Sequence, residues 1–228
     1  MTASGGIGVL REGPLHAAVK DLIARPGDRA EVKVEGYIID LVRADGELVE
    51  IQTGGFSPLG PKLDALLDGH RMRIVHPVAA RRRIVRIDEH GQVLSARRSP
   101  LRAGVLDVFD RLVSFPSLLA HPHLVVEVLL CEEDHVRGPE PVVRRGRRRD
   151  PGQRRLAEVV EVVRIERPTD LAALLPAALA EPFTTRDVAT ALKLPAVLAR
   201  QVVYCLRESG ELAEAGRLGR APAYARVA

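Results

Sequence analysis

Tryptophan is absent, aromatic residues make up 3% of the chain, and only two cysteines occur in 228 residues. Without aromatic bulk, Leu, Val, Ile and Ala must fill the core, and an apolar fraction of 46% is enough to build one. Cys131 and Cys205 each lie inside apolar stretches and match no metal-ligand spacing, so they read as buried thiols in a reducing, cytoplasmic setting. No apolar run reaches the length of a membrane span, and MTASGGIGVLREG lacks the apolar core of a signal peptide, so no membrane partner is expected. A strong excess of one charge is also missing. The net charge is +4 with a pI of about 9.4, so basicity matters only where it clusters. The length suits one large domain or two small ones.

The stretch from Gly36 to Thr53, GYIIDLVRADGELVEIQT, reads as two strands, Tyr37–Arg43 and Glu47–Thr53, joined at Ala44-Asp45-Gly46. In a three-residue loop the Gly takes the left-handed position after a type I turn, which sets Arg43 against Glu47 and Asp40 against Glu50. Strand side chains alternate between faces, so Asp40, Glu50 and Gln52 share one patch. A two-residue turn would slip the pairing by one and separate the two acids. Two neighbouring carboxylates repel unless a cation compensates them. Oxygen ligands at this density suit Mg²⁺ or Mn²⁺, which leave positions for water and phosphate. A solvent-facing hairpin that merely carries acidic side chains remains the plain alternative.

Around the hairpin, Leu15–Ala24 reads as a first helix, stopped by Arg25-Pro26-Gly27-Asp28, with His16 and Lys20 on one face and Glu12 just ahead of it. Ala30–Glu35 reads as a strand, Ser57–Leu67 as a helix with Lys62 near its start, and Arg71–Val78 as a further strand. The order is helix, strand, strand, strand, helix, strand. Over roughly residues 12–80 this resembles the restriction-endonuclease-like, or PD-(D/E)XK, nuclease superfamily. Asp40 matches the acid of its second strand, and Glu50-Ile51-Gln52 the Glu-X-Lys motif of its third. The resemblance implies an α/β nuclease core in which Asp40, Glu50 and the Ile51 carbonyl hold Mg²⁺ or Mn²⁺. It also implies a cationic group beside them. Gln52 stands where the family usually has Lys, and Lys62 from the following helix is the other candidate. Glu12 and His16 are the candidates for an assisting group on the first helix. Homodimers among such nucleases make a second copy a possible partner, by analogy alone.

Downstream, Ile84–Ile87 and Val93–Ala96 read as a hairpin flanked by Arg81, Arg82, Arg83, Arg97 and Arg98, a cluster suited to phosphates or simply solvated. Gly138–Arg155 is a composition break carrying Arg144, Arg145, Arg147, Arg148 and Arg149, and it reads as a loop that contacts nucleic acid. Leu156–Ile165 leans towards helix, because Glu158 and Glu161 fall at helical spacing. From Phe183 the pattern helix, turn, helix, hairpin resembles a winged helix-turn-helix. In that reading Arg200, Gln201 and Arg207 on the second helix and Arg217 and Arg220 on the wing are the nucleic-acid contacts. The expected division is therefore a core at 1–137, an Arg-rich loop and linker at 138–168, and a winged helix at 169–228. The functional expectation is a metal-dependent nuclease acting on nucleic acid, DNA foremost. Two other readings stay open: a nuclease-like binder that does not cut, and a winged-helix regulator or adaptor with a protein partner.

Overall fold

The computed structural model describes residues 13–139, 142–144, 147–149 and 152–227, with the backbone alone at 142–144 and 147–149. Its elements run α1 (Pro14–Ile23), β1 (Arg29–Val34), β2 (Tyr37–Val42), β3 (Leu48–Ile51), α2 (Gly60–Leu66), β4 (Met72–Ile87), β5 (Val93–Arg98), α3 (Phe109–Leu112) and β6 (Leu124–Arg137). They continue with β7 (Val142–Arg144), β8 (Arg147–Arg149), β9 (Gln153–Ile165), α4 (Pro168–Ala172), α5 (Thr185–Leu192), α6 (Ala196–Glu208), β10 (Leu212–Leu218) and β11 (Ala221–Arg226). The protein is α/β, with an open mixed sheet ordered β1-β2-β3-β4-β6-β9. β3, β4 and β6 run parallel, and the remaining neighbours on this path are antiparallel. No single helix among the described residues is long and apolar enough to cross a membrane.

The first six elements come in the order expected from sequence. In the β2–β3 turn Gly46 has φ +86°, Gly46 N donates to Arg43 O at 3.0 Å, and Leu41 and Val42 pair with Val49 and Leu48. Arg43 N donates to Glu47 O at 2.9 Å, so the three-residue loop and its register hold. Continued by one residue, that register sets Asp40 beside Glu50.

Each face of the sheet buries one cluster. α1 lays Leu15 and Val19 on Leu41, Val49, Ile51, Val75 and Leu129. The opposite face carries α2, the 105–119 segment and the C-terminal helices in one larger core, which runs from Ile39 to Tyr224. Both cysteines are buried, and burial pushes each thiol up to about 12.

Two sequence expectations give way here. The first concerns β4, which runs without a break from Met72 to Ile87, through Pro77, instead of stopping at Val78. Arg71 O and Val75 O accept from β3, so the odd-numbered residues of this strand face β3. Pro77, lacking an N–H, therefore faces the side on which β3 has already ended, where no ladder donor is needed. The one carbonyl left facing it, Gln52 O, is met by the His76 ring instead. Beyond this gap β5 takes over as the neighbour of β4, from Arg83 to Ile87.

The second concerns residues 156–165, which are not helical but form most of β9, antiparallel to β6. The registers Glu161–Leu130, Val159–Cys131, Glu158–Glu132 and Leu156–Glu133 leave Val160 and Ala157 as single extra residues. Two bulges on an exposed edge strand break the period-2 alternation, and the glutamates then fall at helix-like spacing. The boundary expected at 137 thus separates β6 from its own sheet partner, and residues 153–165 belong to the sheet. After β9, α4 is a short helix of five residues. Thr184 caps α5 through a reciprocal capping box with Asp187, and α6 ends before Gly210, at φ +85°.

Candidate active site

At the C-terminal end of β3 the strands β2 and β3 part, and four side chains meet at the fork. The Asp40 carboxylate accepts the Ile51 N–H at 2.7 Å and lies 3.2 Å from His16 Nε2 of α1. Glu50 Oε1 accepts from Lys62 Nζ of α2 at 2.6 Å, and the same ammonium donates to Ile38 O at 2.9 Å. α1 and α2 lie on opposite faces of the sheet, so each acid is held from a different side. Burial by itself would raise Asp40, but the His16 contact, the Ile51 N–H and the nearby positive groups outweigh it and lower the carboxyl below its usual range. Glu50 goes the other way. Burial and the Asp40 charge raise it, and Lys62 offsets only part of this.

Whether the fork suits a metal follows from its donors. Glu50 Oε2 is buried and has no hydrogen-bond partner among the described residues. Even-numbered β3 residues bond to β4, so the Ile51 N–H and C=O both face the β2 side, where Asp40 lies. Two carboxylates and one carbonyl suit Mg²⁺, which keeps several waters and is commonly held by one or two protein carboxylates. No group of three or more His, Cys, Asp or Glu among the described residues is arranged to hold a metal ion, so a site saturated by protein ligands is not formed.

The remaining expected residues divide. The Gln52 amide donates to Gly55 O, within its own turn, and to neither acid. Glu12 and Arg145 lie outside the described residues, as do the side chains of Arg144, Arg147, Arg148 and Arg149. Arg81, Arg82 and Arg83 do not form an uncompensated basic patch. The parallel β4–β6 register sets them opposite Glu132, Glu133 and Asp134, with ion pairs of 2.7, 3.1 and 2.6 Å. A partner strand about fifty residues away gives no local signal. Arg97 and Arg98 are exposed on β5, and Arg98 lines a groove with Arg102 and this ladder. On α6, Arg200 is exposed, whereas Gln201 donates to Asp110 at 2.9 Å and Arg207 pairs with Glu208 and Glu214. Arg217 on β10 and Arg220 in the β10–β11 turn are exposed.

Three residues next to the fork escaped the sequence reading. Arg154 bonds both oxygens of the fully buried Glu133 carboxylate and donates to Thr53 O at 2.9 Å, which ties β9 to the turn after Gln52. Arg111 carries a charge near His76. His76 donates from Nδ1 to Gln52 O, and burial pushes it down to about 4, with Arg111 and Arg154 acting in the same direction. A histidine depressed in the folded state binds its proton first in the unfolded chain. Its contribution to stability is therefore present above pH 6.5 and lost as the pH falls from 6.5 towards 4. His76→Gln should remove about 3 kcal/mol of that acid sensitivity, read from urea melts at pH 7 and pH 4. Equal acid sensitivity in both proteins would contradict the assignment.

These features define an α/β protein with a carboxylate pair at a strand fork, braced from both faces of the sheet. Residues 13–166 match the family model described as Domain of unknown function (DUF8091), and the chain belongs to that family. The matched segment runs from the start of α1 to just past β9. A protein of Treponema pallidum (strain Nichols), named only as an uncharacterized protein, is 31% identical over 222 residues, covering 96% of this chain and 86% of the relative. That similarity therefore extends through the C-terminal helices. No solved structure matches the chain.

Proposed function

We propose that this protein is a metal-dependent nuclease of the restriction-endonuclease-like kind, acting on nucleic acid and on DNA foremost. The observation that carries the reading is the fork itself. Asp40 and Glu50 lie side by side at the end of β3, with the Lys62 ammonium 2.6 Å from Glu50. Lys62 thus brings in, from the next helix, the positive charge that Gln52 lacks in the motif. Asp40, Glu50 and the Ile51 carbonyl would hold Mg²⁺ or Mn²⁺. When bound, the metal lowers the pKa of an attacking water and offsets charge developing on the phosphate. His16 and the Ile51 N–H keep Asp40 ionised and oriented. Lys62 neutralises Glu50 in the resting site and faces the charge that builds during in-line displacement. The C-terminal helices and hairpin act as a winged helix, whose Arg200, Arg217 and Arg220 touch the phosphate backbone. Gln201 and Arg207 hold the fold instead, which departs from the contact set expected of them.

The test is cleavage of plasmid, linear duplex and single-stranded DNA with Mg²⁺ or Mn²⁺, by the wild type beside Asp40→Ala and Glu50→Ala. Cleavage that disappears in both variants, with folding intact by circular dichroism, is the expected result. Undiminished activity in either variant, or none in the wild type on any substrate, would sink the nuclease reading.

A further inference from the structure

The gap between β3 and β5 along β4 opens into a cleft of about 470 Å³, closed on its far side by the first turns of α6. None of the residues from which the metal site is built lines it. Its polar wall holds three guanidiniums from three separate elements: Arg82 of β4, Arg111 of α3 and Arg154 of β9. Its apolar wall includes Leu101, Val197 and Leu198, with Val197 57% exposed.

Three carboxylates, Asp107, Asp110 and Glu133, match the three guanidiniums in number but are unevenly placed among them. Glu133 is fully buried and shared by Arg82 and Arg154, so it neutralises one of the two. Arg82 keeps a buried Nε without a hydrogen-bond partner among the described residues. Asp107 caps its own turn through Gly104 N, and Asp110 is bound by Arg111 and Gln201. His76 also lines the cleft, and burial, with Arg111 and Arg154 acting in the same direction, keeps its ring neutral. Guanidiniums facing an apolar wall, in a space this size, match a ligand with an anionic end and a flat apolar body. Guanidinium forks are suited to phosphate oxygens.

We propose that this cleft binds a nucleotide unit, with its phosphate on Arg82 and Arg111 and its base against Leu101 and Val197. The unit comes either from a nucleic-acid strand or from a free nucleotide. Thr53, which lines the cleft, is three residues beyond Glu50, at most roughly 10 Å along the chain. A strand unit held here would therefore neighbour the phosphate placed at the fork, a consequence that rests on the nuclease reading. Because α6 supplies one wall and the sheet the other, a bound nucleotide would also clamp the C-terminal helices onto the sheet.

The experiment measures binding in EDTA, where no metal-dependent cleavage occurs, using the full chain. The probes are a short fluorescein-labelled single-stranded DNA, followed by anisotropy, and dAMP with inorganic phosphate as competitors. Arg111→Gln and Val197→Glu alter partly exposed positions and are expected to fold, as checked by circular dichroism, while Lys33→Gln on the far edge strand is the control. Both cleft variants are expected to weaken binding of the responsive probe about tenfold or more, and Lys33→Gln to leave it unchanged. Displacement of the labelled strand by dAMP identifies a strand unit as the source. Binding of dAMP that leaves the labelled strand in place identifies a free nucleotide. Wild-type affinity for every probe in both cleft variants overturns the proposal, as does failure of the wild type to bind any of them. Binding in EDTA is read without any metal-dependent cleavage, so a failed nuclease assay and a failed cleft assay remain separate results.

Discussion

Replacing Lys62 by methionine is expected to lower Mg²⁺-dependent DNA cleavage by about a hundredfold or more, whereas Gln52→Ala should cost less than about tenfold. The contrast follows from where the two side chains point. Lys62 Nζ lies 2.6 Å from Glu50 Oε1 and 2.9 Å from Ile38 O, which places one positive charge directly at the acid pair. The Gln52 amide is occupied by Gly55 O in its own turn. Methionine keeps most of the apolar stem of lysine and removes the charge with its bonds to Glu50 and Ile38 O, so folding is checked by circular dichroism beside the rates. Single-turnover cleavage gives the rates. Anisotropy of a labelled duplex in Ca²⁺ separates lost chemistry from lost binding. A Lys62→Met protein that cuts normally beside a dead Gln52→Ala protein would return the catalytic role to the motif position.

The second large effect is on stability. Under the C-terminal end of α1, the Arg73 guanidinium makes contacts of 2.8, 2.9 and 3.2 Å with the Glu47 carboxylate and one of 3.1 Å with Glu127. Arg43 joins this group. It donates to Ile23 O at 2.8 Å and pairs with Asp28. The Arg73 and Glu47 side chains are 8% and 10% exposed, so neither can recover full hydration if its partner is removed. Glu47→Ala is expected to destabilise the fold by about 3–5 kcal/mol, a loss of about 10 °C or more in Tm. The double variant Glu47→Leu, Arg73→Met should regain most of that, because it leaves no orphaned charge. Urea melts of the single and double variants give the comparison. A Glu47→Ala protein within 1 kcal/mol of the wild type would show that the pair is neutral to folding. The network also bears on the fork. Arg43 anchors the end of α1 at Ile23, and His16, near the start of the same helix, braces Asp40.

The hairpin and the four elements around it were legible in the sequence. Those signals are local. Gly46 after Ala44-Asp45 permits one loop geometry, that loop sets one register, and the register makes neighbours of Asp40 and Glu50. Caps and stops such as Thr184 and Gly210 are equally local, because they act within a turn of the chain.

Tertiary structure decided what depends on distant partners. Arg81, Arg82 and Arg83 look like a free basic patch until the parallel register with β6 sets three acids against them from about fifty residues away. Residues 156–165 satisfy a helical spacing, but the free edge of β6 recruits them as a bulged strand. Gln52 occupies the motif position, yet packing of α2 brings Lys62 to Glu50 instead. The cleft exists only because β3 ends before β5 begins and α6 closes over the gap. Local periodicity carries information over a few residues. Charge compensation and cleft walls are set by which strands lie side by side, and that is decided when the sheet assembles.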